Sequence, residues 1–139
     1  MIVNTNSVEQ TRNIAARLAR KTSPGQVFAL AGDLGSGKTE FVRGFVHELS
    51  PDAQVRSPTF SIVNTYPDGP FPVFHFDFYR LGDPSELDQI GFEEYVNGQG
   101  VCLIEWASMF QECLPKHTII ISFTDTGLET RRIESALDW

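Results

Sequence analysis

The chain has 139 residues, with 11 Lys and Arg against 18 Asp and Glu, for a formal net charge of −7 with histidine neutral. This length fits one domain across residues 1–139, and 41% hydrophobic residues, including 11 Phe, are enough for a packed core, which excludes a disordered chain. The acidic balance argues against strong direct nucleic-acid binding, which needs a basic stripe. The lack of any apolar run near 18 residues argues against a membrane span, and a start (Met1-Ile2-Val3-Asn4-Thr5-Asn6) without a basic end or apolar core points to a cytoplasmic protein.

Ser7-Val8-Glu9-Gln10 has the form of a capping box, with Ser7 as N-cap and Gln10 reaching back, and predicts a helix over about 8–21. Arg12, Arg17, Arg20 and Lys21 fit its solvated side at least as well as a binding patch. Ser23-Pro24-Gly25 ends it, and Val27-Phe28-Ala29-Leu30-Ala31 reads as a strand covered on both faces. A glycine-rich turn from Gly32 to Gly37 follows, then a second helix marked by Phe41, Val42, Phe45, Val46 and Leu49, stopping before Ser50-Pro51-Asp52. Gln54 to Tyr66 and Phe71 to Tyr79, around Pro67-Asp68-Gly69-Pro70, predict a β-hairpin. In its second arm Phe74, Phe76 and Phe78 alternate with His75, Asp77 and Tyr79, which predicts one apolar face and one functional face. Asp83-Pro84-Ser85-Glu86 opens an acidic helix toward Val96. Val101-Cys102-Leu103-Ile104 is a short apolar strand ending at Glu105, followed by a short helix around 107–113. Thr118 to Phe123 and Thr130 to Leu137 close the chain as two strands about Asp125-Thr126-Gly127. The sum is an α/β fold, a P-loop NTPase-like mixed β-sheet flanked by helices. Cys102 and Cys113 are too few for a disulfide framework and lack zinc-site spacing, so both are expected to be inert.

Gly32-Asp33-Leu34-Gly35-Ser36-Gly37-Lys38-Thr39 satisfies G-x-x-x-x-G-K-[ST] between a predicted strand and a predicted helix. At average residue frequencies a chance match in this length is on the order of one in two hundred, before that context is counted. The glycines let the loop curl so that backbone N–H groups point at a polyphosphate, and the helix N-terminus adds its dipole. Lys38 supplies a mobile charge for the β- and γ-phosphates, and Thr39 a hydroxyl for Mg²⁺. Hydrolysis needs a carboxylate near the metal as well. Glu105, at the end of an apolar strand, is the stronger candidate. Asp77 reads equally as a site residue or a hydrogen-bonded structural aspartate. His75 has no second histidine or cysteine at metal-ligand spacing and reads as a hydrogen-bonded strand histidine. Spacing leaves Trp106 two places, in the core or against the site. Asp83, Glu86, Asp88, Glu93 and Glu94 form a solvated helix face or a docking surface. Asp88-Gln89-Ile90-Gly91 matches D-x-x-G but falls inside the acidic helix, and there is no N-K-x-D guanine motif, so ATP is favoured over GTP.

The P-loop, Ser57-Pro58-Thr59-Phe60, His75-Phe76-Asp77-Phe78-Tyr79-Arg80-Leu81 and Ile104-Glu105-Trp106, in this order and spacing, resemble the bacterial TsaE (YjeE) proteins over nearly the whole chain. The resemblance implies a small P-loop ATPase acting with the TsaD–TsaB pair to make N6-threonylcarbamoyladenosine beside the anticodon, in tRNAs reading codons that begin with A. TsaD is the member that transfers the group. It further implies that Leu34, Gly35, Ser36, Gly37, Lys38 and Thr39 hold ATP, that Thr39 and Glu105 hold Mg²⁺, and that Lys38, Asp77 and Glu105 are the catalytic set. Asp77 would lie near the γ-phosphate, Trp106 close to the nucleotide, and Thr11 toward its base end. Ser57 and Thr59 would belong to a switch-like loop, and the acidic charge would serve protein docking.

Three residues depart from the family pattern: Glu40 where a second Thr is expected after the P-loop, Thr65 where a Glu before the Tyr is common, and Ser108 in place of an acid after the Trp. Glu40 is expected to point away from the phosphates, and Thr65 and Ser108 bear on partner affinity or ATPase rate. Two functional readings follow. One is a weak ATPase activated in complex, and the other is a non-hydrolytic, nucleotide-gated binding module that stabilises a partner complex. A small-molecule kinase is disfavoured, because 139 residues leave little room for an acceptor domain and an arginine-rich lid.

Overall fold

The computed structural model describes residues 1–58 and 61–137. A short edge strand, β1 (Ile2–Thr5), precedes helix α1 (Val8–Lys21). The Ser7 hydroxyl caps α1 by accepting the Gln10 amide at 3.1 Å. The Gln10 side chain reaches back one residue further than a capping box requires and accepts the Asn6 amide at 2.7 Å. Strand β2 (Val27–Ala31) leads through the glycine-rich turn into α2 (Lys38–Leu49). Then come the hairpin β3 (Val63–Tyr66) and β4 (Val73–Asp77), two short helices α3 (Ser85–Gln89) and α4 (Phe92–Val96), and β5 (Val101–Glu105). A kinked 3₁₀ segment, Ala107–Cys113, and the antiparallel pair β6 (Ile119–Asp125) and β7 (Arg131–Ser135) complete it.

These strands form one sheet in the order β1-β7-β6-β2-β5-β4-β3. Its centre, β6-β2-β5-β4, is parallel, while β3 at one edge and β7 and β1 at the other are antiparallel. Both faces of the parallel centre are covered, which is why β2 and β5 are continuous apolar runs. On one face α1 and α2 bury Leu18, Phe41, Phe45 and Val46 against Phe28, Leu30 and Leu103. Each fully buried side chain of this size contributes on the order of 2 kcal/mol of transfer free energy. Gly44 permits this approach of the two helices, since a Cβ there would lie 2.3 Å from the Arg12 carbonyl oxygen. On the other face α3, α4 and the 3₁₀ segment cover Ala29, Phe76, Cys102 and Ile104. Burial pushes the Cys102 thiol up to about 12, which keeps it unreactive.

The structure differs from the sequence reading in four places. The strand β1 was not expected, because its four residues gain order only from a partner at the far end of the chain, Ile2 facing Glu134 and Thr5 facing Arg131. The first hairpin arm is a strand only from Val63. Before it, side chains rather than a ladder hold the backbone: Tyr66 Oη accepts the Arg56 amide at 3.1 Å, and Asn64 Nδ2 donates to the Arg56 carbonyl at 2.8 Å. Thr59 and Phe60 of the expected switch-like loop lie outside the described residues. The acidic helix is broken in two at Gly91, whose φ of +75° is a left-handed conformation that glycine adopts without steric cost. The functional face of β4 is also less open than expected: Phe74 and Phe76 pack on the α3–α4 side as the alternation predicts, Phe76 meeting the Phe92 ring at 5.2 Å, but His75 on the opposite, α1–α2 side is fully buried. No helix of the described residues is long and apolar enough to cross a membrane.

Candidate functional site

The parallel strands β2, β5 and β4 all end at the same edge of the sheet, the edge at which α/β sheets bind ligands. There β2 delivers the P-loop, β5 delivers Glu105 and β4 delivers Asp77. The last two stand directly opposite each other in register. They border a cavity of about 260 Å³ whose floor is Gly35, Gly37, Lys38 and Thr39 at the start of α2. Gly37 sits in the left-handed region, φ +100°, and its carbonyl accepts the Phe41 amide at 3.0 Å, so the loop turns sharply and α2 starts pointing its amides at the cavity.

Lys38 is 5% exposed. Its Nζ donates to the Gly32 carbonyl and lies 4.3 Å from the centre of the Trp106 ring. Burial lowers its pKa, and the nearby charges of Glu105, Asp77 and Asp33 partly oppose that shift. Trp106 itself has φ +58°, a costly conformation for a bulky residue. This turn immediately after β5 swings the indole over the site, where it also meets the Tyr79 ring at 5.1 Å. Of its two possible places, Trp106 therefore takes the one against the site.

The two carboxylates differ. Glu105 is 5% exposed and its Oε2 is 2.6 Å from His75 Nε2. Asp77 is half-buried and accepts the Tyr79 amide at 2.9 Å. Burial raises its pKa, the Glu105 charge adds to the rise, and the Tyr79 amide, His75 and Lys38 oppose it. Thr39 Oγ1 and Ser57 Oγ are 3.4 Å apart on the cavity wall, which places one described residue of the expected switch-like loop at the site. Thr39, Asp77 and Glu105 offer only oxygen donors, a set suited to a hard cation such as Mg²⁺. Among the described residues no three His, Cys, Asp or Glu side chains form a closed metal cage.

Other expected site residues lie differently. Leu34 lines the cavity from the exposed tip of the P-loop, 90% accessible. Ser36 is buried off the cavity lining: its Oγ has no partner among the described residues, and its amide donates to the Asp33 carbonyl at 3.1 Å. Thr11 is buried and its hydroxyl shares a 2.8 Å hydrogen bond with Thr5, while Val8, one turn earlier on α1, lines the cavity. Glu40 stands at the rim, held by Arg12 and Arg43. Burial pushes its carboxyl up, and the hydrogen bonds from the two arginines outweigh this and hold it below the usual range. Thr65 and Ser108 are both exposed and off the cavity.

Sequence reasoning missed Arg131 and Glu129, which bring the β6–β7 hairpin to the cavity. The Arg131 guanidinium donates to the Gly35 carbonyl at 3.0 Å, the Thr130 carbonyl at 2.8 Å, the Gly127 carbonyl at 3.2 Å and Asp125 at 3.2 Å. No local signal marks it, since its partner on the P-loop is 96 residues away.

The span that builds every wall of this cavity, residues 5–133, matches the family model "Threonylcarbamoyl adenosine biosynthesis protein TsaE". The chain belongs to the TsaE family. Among TsaE proteins, that of Bacillus subtilis is 45% identical over 125 residues, 90% of this chain and 78% of the relative. The Haemophilus influenzae TsaE is 40% identical over 105 residues, 76% of this chain and 66% of the relative. The TsaE of Rickettsia felis is 39% identical over 110 residues, and the match takes in 78% of this chain and 64% of that protein. The fold is likewise similar to the crystal structure of Bacillus subtilis YdiB, with a TM-score of 0.83 at 38% identity over 96% of this chain and 82% of that one. Gly35, Gly37, Lys38, Thr39, Ser57, Asp77, Glu105 and Trp106, which belong to motifs set apart in the sequence, thus line one cavity at one edge of the sheet.

Proposed function

We propose that the chain is a Mg²⁺-dependent P-loop ATPase, weak alone and activated in complex with TsaD and TsaB, serving N6-threonylcarbamoyladenosine formation next to the anticodon in tRNAs reading codons that begin with A. The observation that carries this reading is the convergence of Lys38, Thr39, Asp77, Glu105 and Trp106 on one P-loop cavity in a member of the TsaE family. Thr39 and Glu105 would hold Mg²⁺, which when bound neutralises charge on the terminal phosphates. The amides around Gly35–Thr39 bind the polyphosphate. Lys38 exchanges the Gly32 carbonyl for a phosphate oxygen, and Asp77 stands beside Glu105 to orient the attacking water. Trp106 covers Lys38 and excludes bulk solvent.

Weak hydrolysis by the chain alone follows from its cations. Of the described residues lining the cavity, Arg131 is the one arginine, and its guanidinium is committed to Asp125 and three carbonyls. Among the described residues that line the cavity, none thus offers an uncommitted guanidinium for the developing charge, and such a group supplied in trans accelerates phosphoryl transfer by roughly 10³–10⁵. The test is reconstitution with purified TsaD and TsaB. Complex formation is expected only with ATP, with ATPase stimulated in the complex, Lys38→Ala losing nucleotide binding, and Glu105→Ala binding ATP without hydrolysing it. Normal hydrolysis by the Glu105 variant in the complex overturns its assigned role. Full tRNA modification with non-hydrolysable ATP would make the chain a nucleotide-gated module instead.

A further inference from the structure

Glu105 lines the cavity, but the residue that holds its carboxylate, His75, is not among the cavity-lining residues. The β4–β5 register sets Asp77 opposite Glu105 and His75 opposite Leu103, so His75, Asp77, Leu103 and Glu105 share one face, with His75 diagonal to Glu105. His75 is 0% exposed and outside the cavity lining, and its Nε2 lies 2.6 Å from Glu105 Oε2. Its other nitrogen, Nδ1, is sealed from solvent with no partner among the described residues.

That asymmetry settles the tautomer. A hydrogen on Nδ1 would be a buried donor with no acceptor, so the hydrogen sits on Nε2 and is donated to the carboxylate. A glutamate has three side-chain torsions, and left free it would spread over many rotamers. Fixing a side chain of this length costs roughly 1.5–2 kcal/mol of entropy. A rigid ring packed inside the sheet, donating along a fixed line, selects one of those rotamers. Because Oε2 is the oxygen held, Oε1 is the one left to face the cavity that Glu105 lines.

We infer that His75 is a positioning residue for the metal-side carboxylate: it locks Glu105 by Oε2 so that Oε1 alone is presented to the Mg²⁺ of a bound nucleotide. The inference rests on the Mg²⁺–nucleotide reading of the cavity. It also gives the histidine of the H-x-D motif a role, while requiring no contact between His75 and any ligand.

The test is titration of the full chain with a fluorescent ATP analogue, once with Mg²⁺ and once with EDTA, the readout being the ratio of the two affinities. In the wild type Mg²⁺ is expected to tighten binding. His75→Leu should cut that Mg²⁺ gain by about tenfold, the lower end of losses seen when a residue supporting a metal ligand is removed, while binding in EDTA stays unchanged. His75→Gln, whose amide nitrogen restores a donor near the Nε2 position, should recover most of it, which a role in packing alone would not predict. A His75→Leu variant with the full wild-type ratio, or a folded His75→Gln no better than His75→Leu, overturns the role of His75. A wild type indifferent to Mg²⁺ overturns the reading of the cavity, and the role with it. If His75→Leu lacks a cooperative melt, a cycle between His75→Asn, whose shorter amide cannot reach Glu105, and Glu105→Gln decides: the two must be non-additive in the affinity ratio, and additivity overturns the inference.

Discussion

One wall of the cavity is made by residues at the ends of β2, β4 and β5; the other is made by Val8 on α1, Glu40 on α2, and Glu129 and Arg131 of the β6–β7 hairpin. The first wall carries groups whose state is poorly matched to a folded protein's stability: a lysine desolvated against a carbonyl, an aspartate with a raised pKa, a tryptophan at positive φ. In the second, two charged groups are held by partners: Arg131 has four acceptors, only its Nε–H being buried without one among the described residues, and Glu40 has two arginines. The contrast separates strain kept for ligand from struts that hold the P-loop in place, and it makes opposite forecasts for substitutions in the two walls.

The largest expected effect is at Arg131. Replacing it with Met removes an ion pair and three charged hydrogen bonds to carbonyls, and leaves the Gly35 carbonyl without its brace. A loss of about 2 kcal/mol is expected, in the range of one hydrogen bond to a charged group, because Asp125 is more than half exposed and contributes little. Urea unfolding measures it. Arg131→Lys should rescue poorly, since an ammonium lacks the planar fork that spans Gly35 and the hairpin carbonyls. Wild-type stability in Arg131→Met would mean the hairpin is not a strut.

How much of each wall could be seen in the sequence follows from the range over which its residues act. The P-loop is a local pattern, and Glu105 ends an apolar run that has to be a central strand, so the first wall was legible apart from its geometry. Spacing alone leaves Trp106 two places, and only the family resemblance puts it close to the nucleotide, because the left-handed turn that swings it over Lys38 is imposed by packing. Arg131 reads locally as an exposed strand residue, and β1, which pairs with that same strand, has too few apolar positions to announce itself. The arm from Gln54 has strand composition, yet its backbone is tethered by Tyr66 and Asn64 side chains, a tertiary event that propensity does not encode. The first helix, bounded by cap and breaker, was placed at its observed limits of Val8 and Lys21.

Glu40 sharpens the comparison from the second wall. Its carboxylate joins α1 to α2 through Arg12 and Arg43, and Arg43 continues to the Val55 carbonyl at 3.3 Å, leading toward Ser57. Glu40→Gln should cost about 1 kcal/mol near neutral pH, since the partners are partly exposed. The folded-state pKa is depressed, so the contribution is present above the ordinary glutamate value of 4.5 and is lost as pH falls through the lower folded value. The variant's deficit at pH 7 should therefore shrink as melts are taken down toward pH 3. A deficit that does not shrink would assign the effect to packing.

The smallest effect, and the one of opposite sign, is at Asp77. Burial and the Glu105 charge raise its pKa in the folded chain, so the folded state binds its proton more tightly than the unfolded state does. By linkage this group favours folding most when protonated, and stability falls as pH rises through its unfolded and then its folded value. At pH 7 its charge therefore opposes folding. Asn at this position keeps an oxygen for the Tyr79 amide and removes the charge, so Asp77→Asn should raise Tm by about 2 °C at pH 7, a fraction of a kcal/mol, while ATP hydrolysis in the partner complex falls. At pH 3, where the wild-type carboxyl is protonated, the two proteins should melt together. A variant that is less stable at pH 7 would mean that Asp77 is a satisfied structural aspartate, and the first wall would then differ from the second only in where its residues lie.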